Sequence, residues 1–136
     1  MTFPVYDPPA DVEVAAPFWE AIQRGELRLP RCSRCHRWQW YPDAAGPDCA
    51  DATLEWVAVP LSGVLHTFTR VHRPFLPGDG ASVPYVIGFV ELDDVTGVRL
   101  VANIADDENV AIGRRVRATF VDAGGQTRPV FTVLDA

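Results

Sequence analysis

The chain has 136 residues, enough for one ordinary domain or two very small ones, and 48% of them are apolar, so it can bury a core and is not a disordered tail. Its formal charge of −6 argues against a nucleic-acid binder, which needs a cationic face to displace counterions from phosphates. No apolar run reaches the ~18 residues of a membrane span, and no basic segment followed by an apolar one opens the chain, so neither a membrane-spanning nor a secreted protein is expected.

Residues 1–13 are rich in proline and acidic groups and read as an extended arm. A short helix comes next. Pro17 suits its first turn, Phe18, Trp19 and Ile22 form an apolar stripe at helical spacing, and Gly25 is a stop signal. Leu27 and Leu29 then alternate with Arg28 and Pro30 as a short strand would. Residues 31–56 hold all three cysteines and three of the four tryptophans, with little regular periodicity. So short and irregular a segment needs a staple. A metal is the obvious one, and Trp38, Trp40, Tyr41 and Trp56 can supply a compact apolar base.

From Gly63 onward the pattern is all β. Strands are predicted over 63–73, 84–92, 98–104, 115–122 and 128–134. Asp93–Gly97 joins the second to the third as a hairpin, the acidic 105–112 segment makes a turn before the fourth, and Gly124-Gly125 turns the last hairpin. Five short strands of this kind fit an OB-fold barrel, with a sandwich as the main alternative. The expected fold is therefore mainly β, with an N-terminal arm and helix over 1–30, a zinc-ribbon-like segment over 31–60 and a five-stranded OB-fold barrel over 61–136.

Cys32-Ser33-Arg34-Cys35 has the spacing of a zinc knuckle, in which two thiolates three positions apart reach one tetrahedral ion. A full ribbon needs a second pair. Only Cys49 stands in the right zone, and three positions before it is Gly46, which cannot ligate. Three outcomes are open: zinc on Cys32, Cys35 and Cys49 with a fourth ligand from Asp43, Asp48, His36 or water; weakly held zinc; or a metal-free ribbon held by its tryptophans. A redox reading of the CxxC lacks a surrounding βαβ pattern, and an odd cysteine count without a leader fits a reducing cytoplasm. A catalytic zinc would also want a general base and a pocket, and no HExxH-like pair is present.

The order of features resembles a known family. Phe18-Trp19 and Gly25-Glu26-Leu27 precede Arg31-Cys32-Ser33-Arg34-Cys35 and Gln39-Trp40-Tyr41-Pro42. Cys49 and Leu54-Glu55-Trp56 come after them. Thr67-Phe68-Thr69, Val71-His72-Arg73-Pro74, Pro84-Tyr85-Val86, Glu91-Leu92-Asp93 and Ile112-Gly113 complete the series. This is similar to the "domain of unknown function 35" family, acyl-CoA-associated OB-fold proteins with a rubredoxin-like zinc ribbon, over about residues 17–134. The resemblance implies a non-catalytic accessory subunit beside a thiolase-superfamily enzyme. Thiolase and synthase assemblies, polyketide acyltransferases and aldolases that cut steroid side chains are the partner types. The OB domain would help hold the CoA end of the substrate, and the assembly would be a hetero-oligomer on a dimeric partner. Gly46 departs from the family at the place of its third cysteine.

Within that frame the residues for a CoA thioester are Arg70, His72, Arg73, Phe75 and Tyr85. Arginine suits phosphate, and Phe75, Leu76 and Tyr85 can grip a pantetheine arm along the loop that leads to Pro84. Simple alternation puts Val64, His66, Phe68, Arg70 and His72 on one strand face. Arg114, Arg115 and Arg117 form a second basic cluster, which suits a phosphate or a solvated strand edge. The tryptophans, taken as exposed, would anchor the partner interface. A nucleic-acid-binding OB module and a stand-alone metal-dependent enzyme are the competing readings.

Overall fold

The computed structural model describes residues 13–42, 46–47, 49–73, 83–105, 108–123 and 126–134, with Ala123 and Gln126 described through their backbone alone. The proline-rich start of the arm, Asp43, Asp48, the 74–82 loop with Phe75 and Leu76, and the Gly124-Gly125 turn lie outside the described residues.

A 3-10 turn, Glu13–Ala15, leads into α1, Ala16–Gln23, with Pro17 in its first turn as expected. The helix ends where Gly25 takes φ +75, a left-handed conformation that glycine adopts without steric cost. Phe18, Trp19, Ala21 and Ile22 are buried, so the helix presents its apolar stripe to the rest of the molecule.

Strands β1, Leu27–Cys32, and β2, Leu54–Val59, form a two-stranded antiparallel sheet with Leu27 opposite Val59 and Cys32 opposite Leu54. β2 falls in a stretch where no strand was expected. Five of its six residues are half-buried and the sixth is exposed, so it lacks the in–out alternation that marks a strand in sequence.

The remaining strands are β3, Ser62–Val71; β4, Tyr85–Leu92; β5, Leu100–Ile104; β6, Arg115–Ala123; and β7, Gln126–Val133. They close into a barrel in the order β3-β4-β5-β7-β6. β3 pairs with both β4 and β6, which closes the barrel, and β5 runs parallel to β7. This is the five-stranded OB arrangement expected from the strand count, and not a sandwich.

β4 shows why the barrel is stable. Val86, Gly88, Val90 and Leu92 point inward and are buried, while Phe89 points out. Gly88 is required by close approach, because a Cβ there would stand 2.6 Å from Leu65 Cδ1 and 3.0 Å from Ile104 Cγ1. One buried cluster runs through the whole chain: Phe18 and Ile22 of α1, Leu27 and Leu29 of β1, and Leu65, Val90, Val116 and Phe131 of the barrel. The helix and ribbon strand are thus packed on the barrel core, and are not a separate module beside it.

The expected face of β3 is corrected by a register shift between Leu65, opposite Val90, and Thr67, opposite Phe89. His66 is the extra residue of a β-bulge, and a bulge reverses the in–out phase of the residues beyond it. Leu65 faces inward before the bulge. Past it, Phe68 and Arg70 lie opposite the inward Gly88 and Val86. Val64 and His66 therefore do not share a face with Phe68 and Arg70.

Candidate metal centre

The knuckle forms where β1 ends. The Cys32 amide donates to the Arg37 carbonyl and the His36 amide donates to the Cys32 carbonyl, both at 2.9 Å. His36 holds φ +60, which lets the chain reverse right after Cys35. Gln39 N–H then returns to the Pro30 carbonyl at 2.9 Å, and Arg31 bridges Trp38. The Cys49 segment is tied to this turn from the other side. Ser33 N–H donates to the Thr53 carbonyl at 2.9 Å, Thr53 N–H donates to Ser33 Oγ at 3.0 Å, and Arg34 Nη1 donates to the Ala50 carbonyl at 2.9 Å.

These bonds gather the sulfurs. The Sγ atoms of Cys32, Cys35 and Cys49 all lie within 4.8 Å of one another, with Cys32 buried, Cys49 half-buried and Cys35 exposed. None is in a disulfide. The backbone amide of Cys35 lowers the Cys32 thiol to about 7, and hydrogen bonds to the Cys35 and Cys32 sulfurs raise Cys49 to about 11. Thiolates brought this close repel one another without a cation. A soft divalent ion removes that conflict, and three convergent thiolates are a donor set that suits zinc. Bound there, zinc would cross-link the end of β1 to the segment before β2.

The fourth position is where the site departs from a complete ribbon. Gly46 has φ +80, and a Cβ there would meet nothing within 4 Å. Among the described residues no histidine or carboxylate joins the three sulfurs. His36, one of the expected fourth ligands, instead lies 3.9 Å from Glu55 Oε1. Asp43 and Asp48 are outside the described residues.

Beside the sulfurs lies a cavity of about 300 Å³, lined by Cys32, Cys35, Arg37, Trp38, Trp40 and Pro47 of the ribbon and by Val98 from the β4–β5 connection. Arg37 and Val98 carried no signal in the sequence; the β1 hairpin and the barrel bring them together. The same holds for Glu55. Only the register of β1 and β2 puts it opposite Arg31, where it accepts from Arg31 Nε at 2.7 Å while the guanidinium lies 5.5 Å from the Trp38 ring centre.

The expectation of exposed tryptophans is corrected. Trp19 is buried, and Trp38, Trp40 and Trp56 are half-buried against the core cluster. Trp40 lies 4.9 Å from the Phe18 ring and 5.1 Å from the Tyr41 ring. The indoles roof the apolar core, which outweighs leaving their large surface in water. Tyr41 and Phe89 are the exposed aromatic side chains among the described residues.

Arg70, His72 and Arg73 are exposed at the end of β3. Tyr85 starts β4 opposite Val71, on the other side of the sheet from Arg70, and is 8% exposed. These four residues share one end of the β3–β4 hairpin, on two faces. The second arginine cluster is dispersed. Arg115 makes a two-pronged pair with Asp93 at 2.8 and 2.6 Å, and Arg117 reaches Ser62 Oγ at 3.4 Å. The Arg115 guanidinium holds the Asp93 carboxyl below its usual range. No described helix is long and apolar enough to cross a membrane.

A ribbon of three convergent cysteines packed on a closed OB barrel defines the class. Two adjacent family models match it in the same order: the ChsH2 rubredoxin-like zinc ribbon domain over residues 19–55 and the ChsH2 C-terminal OB-fold domain over residues 56–121. The chain belongs to this ChsH2-type, DUF35 family of zinc-ribbon and OB-fold proteins. It is 33% identical over 116 residues to the 3-oxo-4,17-pregnadiene-20-carboxyl-CoA hydratase alpha subunit of Mycobacterium tuberculosis. It is 30% identical over 118 residues to a probable enoyl-CoA hydratase alpha subunit of Thermomonospora curvata. Both alignments cover 84% of this chain but 36% of the relative, so the chain spans about a third of the curated relatives it matches.

Among solved structures, a chain of the Ltp2-ChsH2(DUF35) aldolase is 28% identical with a TM-score of 0.79, covering 93% of this chain and 98% of that one. A DUF35-family protein from Sulfolobus solfataricus shares the fold at 15% identity, with a TM-score of 0.60 over 90% of this chain and 87% of its own.

Proposed function

We propose that the chain is an accessory subunit that docks on a thiolase-type enzyme acting on an acyl-CoA and helps form that enzyme's substrate channel, while the partner performs the chemistry. The observation that carries this reading is the end-to-end match to a chain of an aldolase complex, which pairs the same ribbon-and-barrel unit with an enzyme. The curated relatives are named as hydratase subunits acting on CoA thioesters, one of them steroid-derived, and the matching solved structure is named an aldolase; on that last name carbon–carbon cleavage of a steroid-derived acyl-CoA is the reaction we favour for the complex. The assembly would be a hetero-oligomer built on a dimeric partner.

In this reading Arg70 and Arg73, exposed at the end of β3, meet the phosphates of CoA, and His72 lies between them. Phe75 follows Arg73 closely in sequence and would join them at the ligand. Tyr85, at the start of β4, is largely buried and leaves little of its surface for a ligand.

Coexpression with a thiolase-like enzyme from the same source should give one complex on gel filtration, with activity that the partner alone lacks. Two separate peaks, with full activity in the partner alone, would overturn the proposal. In the complex, an Arg70→Ala/Arg73→Ala variant should raise KM for acyl-CoA about tenfold and leave kcat near its original value, as expected for lost phosphate binding.

A further inference from the structure

We propose that the three cysteines form a metal centre whose fourth position is exchangeable and accepts a thiolate from outside the described ribbon. Closed structural zinc sites fill four positions with protein ligands, whereas three protein ligands leave one position to an exchanging donor. Cys32, Cys35 and Cys49 supply three, and no described histidine or carboxylate adds a fourth.

Two further observations place the opening. A Cβ at Gly46, the position three before Cys49, would meet nothing within 4 Å. Pro47, its neighbour, lines the cavity of about 300 Å³ together with Cys32 and Cys35. Two of the three sulfur-bearing residues, Cys32 and Cys35, thus line a space that a further donor can enter.

The walls fit a small organic thiol. The lining combines the apolar Trp38 and Trp40 with the polar Arg37 and Gln39, and Cys35 is exposed to solvent. A centre of three thiolates is soft and prefers sulfur to oxygen as its next donor. An incoming thiol binds as its thiolate, its proton passes to solvent, and the displaced solvent leaves. No electron is transferred. The thiolate can come from a small molecule or from a cysteine of a docked protein.

The test uses the whole chain loaded with cobalt(II), whose thiolate-to-metal absorption reports the number of bound sulfurs. Titration with 2-mercaptoethanol should raise that absorption by about a third, one sulfur added to three, and saturate at one thiol per chain. The Asp43→Ala/Asp48→Ala variant should give the same spectrum and the same response. A spectrum that 2-mercaptoethanol does not move, or one that the double aspartate variant alters before any thiol is added, would overturn the proposal, the latter because an internal carboxylate then holds the fourth position. Gly46→Cys should show the four-sulfur spectrum from the start and no titration; should it fail to fold, the aspartate variant decides.

A second arm separates the sources. Adding the thiolase-like partner should raise the same absorption, and blocking the partner's thiols with iodoacetamide abolishes the rise only where a protein cysteine is the donor. This arm rests on the subunit reading above. The 2-mercaptoethanol arm does not, so a failed partnership leaves it standing.

Discussion

The barrel and the ribbon hold their shape in different ways. The barrel closes its hydrogen-bond ladder on itself and fills its interior with Leu65, Val90, Val116 and Phe131, all at most 1% exposed. The ribbon has two strands, and none of the residues of β2 is fully buried. It depends on three cysteines, a few turn hydrogen bonds and tryptophans leaning on a core that the barrel mostly supplies. A two-stranded sheet alone is marginal in water. The expected asymmetry is one of direction: the barrel should stand without a metal in the ribbon, and the ribbon should not stand without the barrel's core.

The strongest way to break this asymmetry is Phe131→Ala. Phe131 is 0% exposed and belongs to the cluster that reaches α1 and β1. Its removal should cost about 3–5 kcal/mol and unfold barrel and ribbon together. Denaturant unfolding monitored by far-UV circular dichroism and by tryptophan fluorescence checks this. The two signals are separable because all four tryptophans fall within residues 19–56. Non-coincident transitions in this variant would show that the shared core does not couple the regions.

Gly88→Ala should come next. The added methyl meets Leu65, which is itself fully buried, and Ile104 across the strand. Overpacking of this kind costs about 1–3 kcal/mol. The midpoint of unfolding should fall while the ribbon's metal content stays unchanged.

Cys32→Ser, or a chelator, tests the other direction. Metal binding should be lost and the fluorescence of Trp38, Trp40 and Trp56 should change, while the barrel's far-UV transition shifts by under about 1 kcal/mol. Ligand loss dismantles only the segments that the metal cross-links. A barrel that melts on chelation would contradict the asymmetry directly.

The same contrast explains which features were legible in the sequence. Alternation marks strands that face a core on one side, so the five barrel strands were readable to within a few residues. Proline at a helix start and glycine at its end made α1 readable as well. β2 was hidden because its residues sit at intermediate depth. The bulge at His66 was hidden because a single extra residue leaves no compositional trace, yet it sets which side Arg70 takes. The cysteine spacing disclosed both the knuckle and its missing partner at Gly46. It could not disclose the cavity, whose walls come from a hairpin return and a barrel connection.

The smallest effect concerns an ion pair confined to the barrel. Asp93 accepts two hydrogen bonds from Arg115, which lowers its carboxyl pKa in the folded state. A lowered folded value means the contribution is present above the ordinary carboxylate range near pH 4 and disappears as pH falls through the folded value. Both side chains are more than a third exposed, so solvent and salt screen the pair. Asp93→Asn should therefore reduce barrel stability slightly at neutral pH and not at all once the wild-type carboxyl is protonated. The ribbon's fluorescence should track neither change. A difference between the two proteins that persists in strong acid would mean Asp93 acts through the backbone turn between β4 and β5, where its N–H donates to the Ser62 carbonyl at 3.0 Å, and not through its charge.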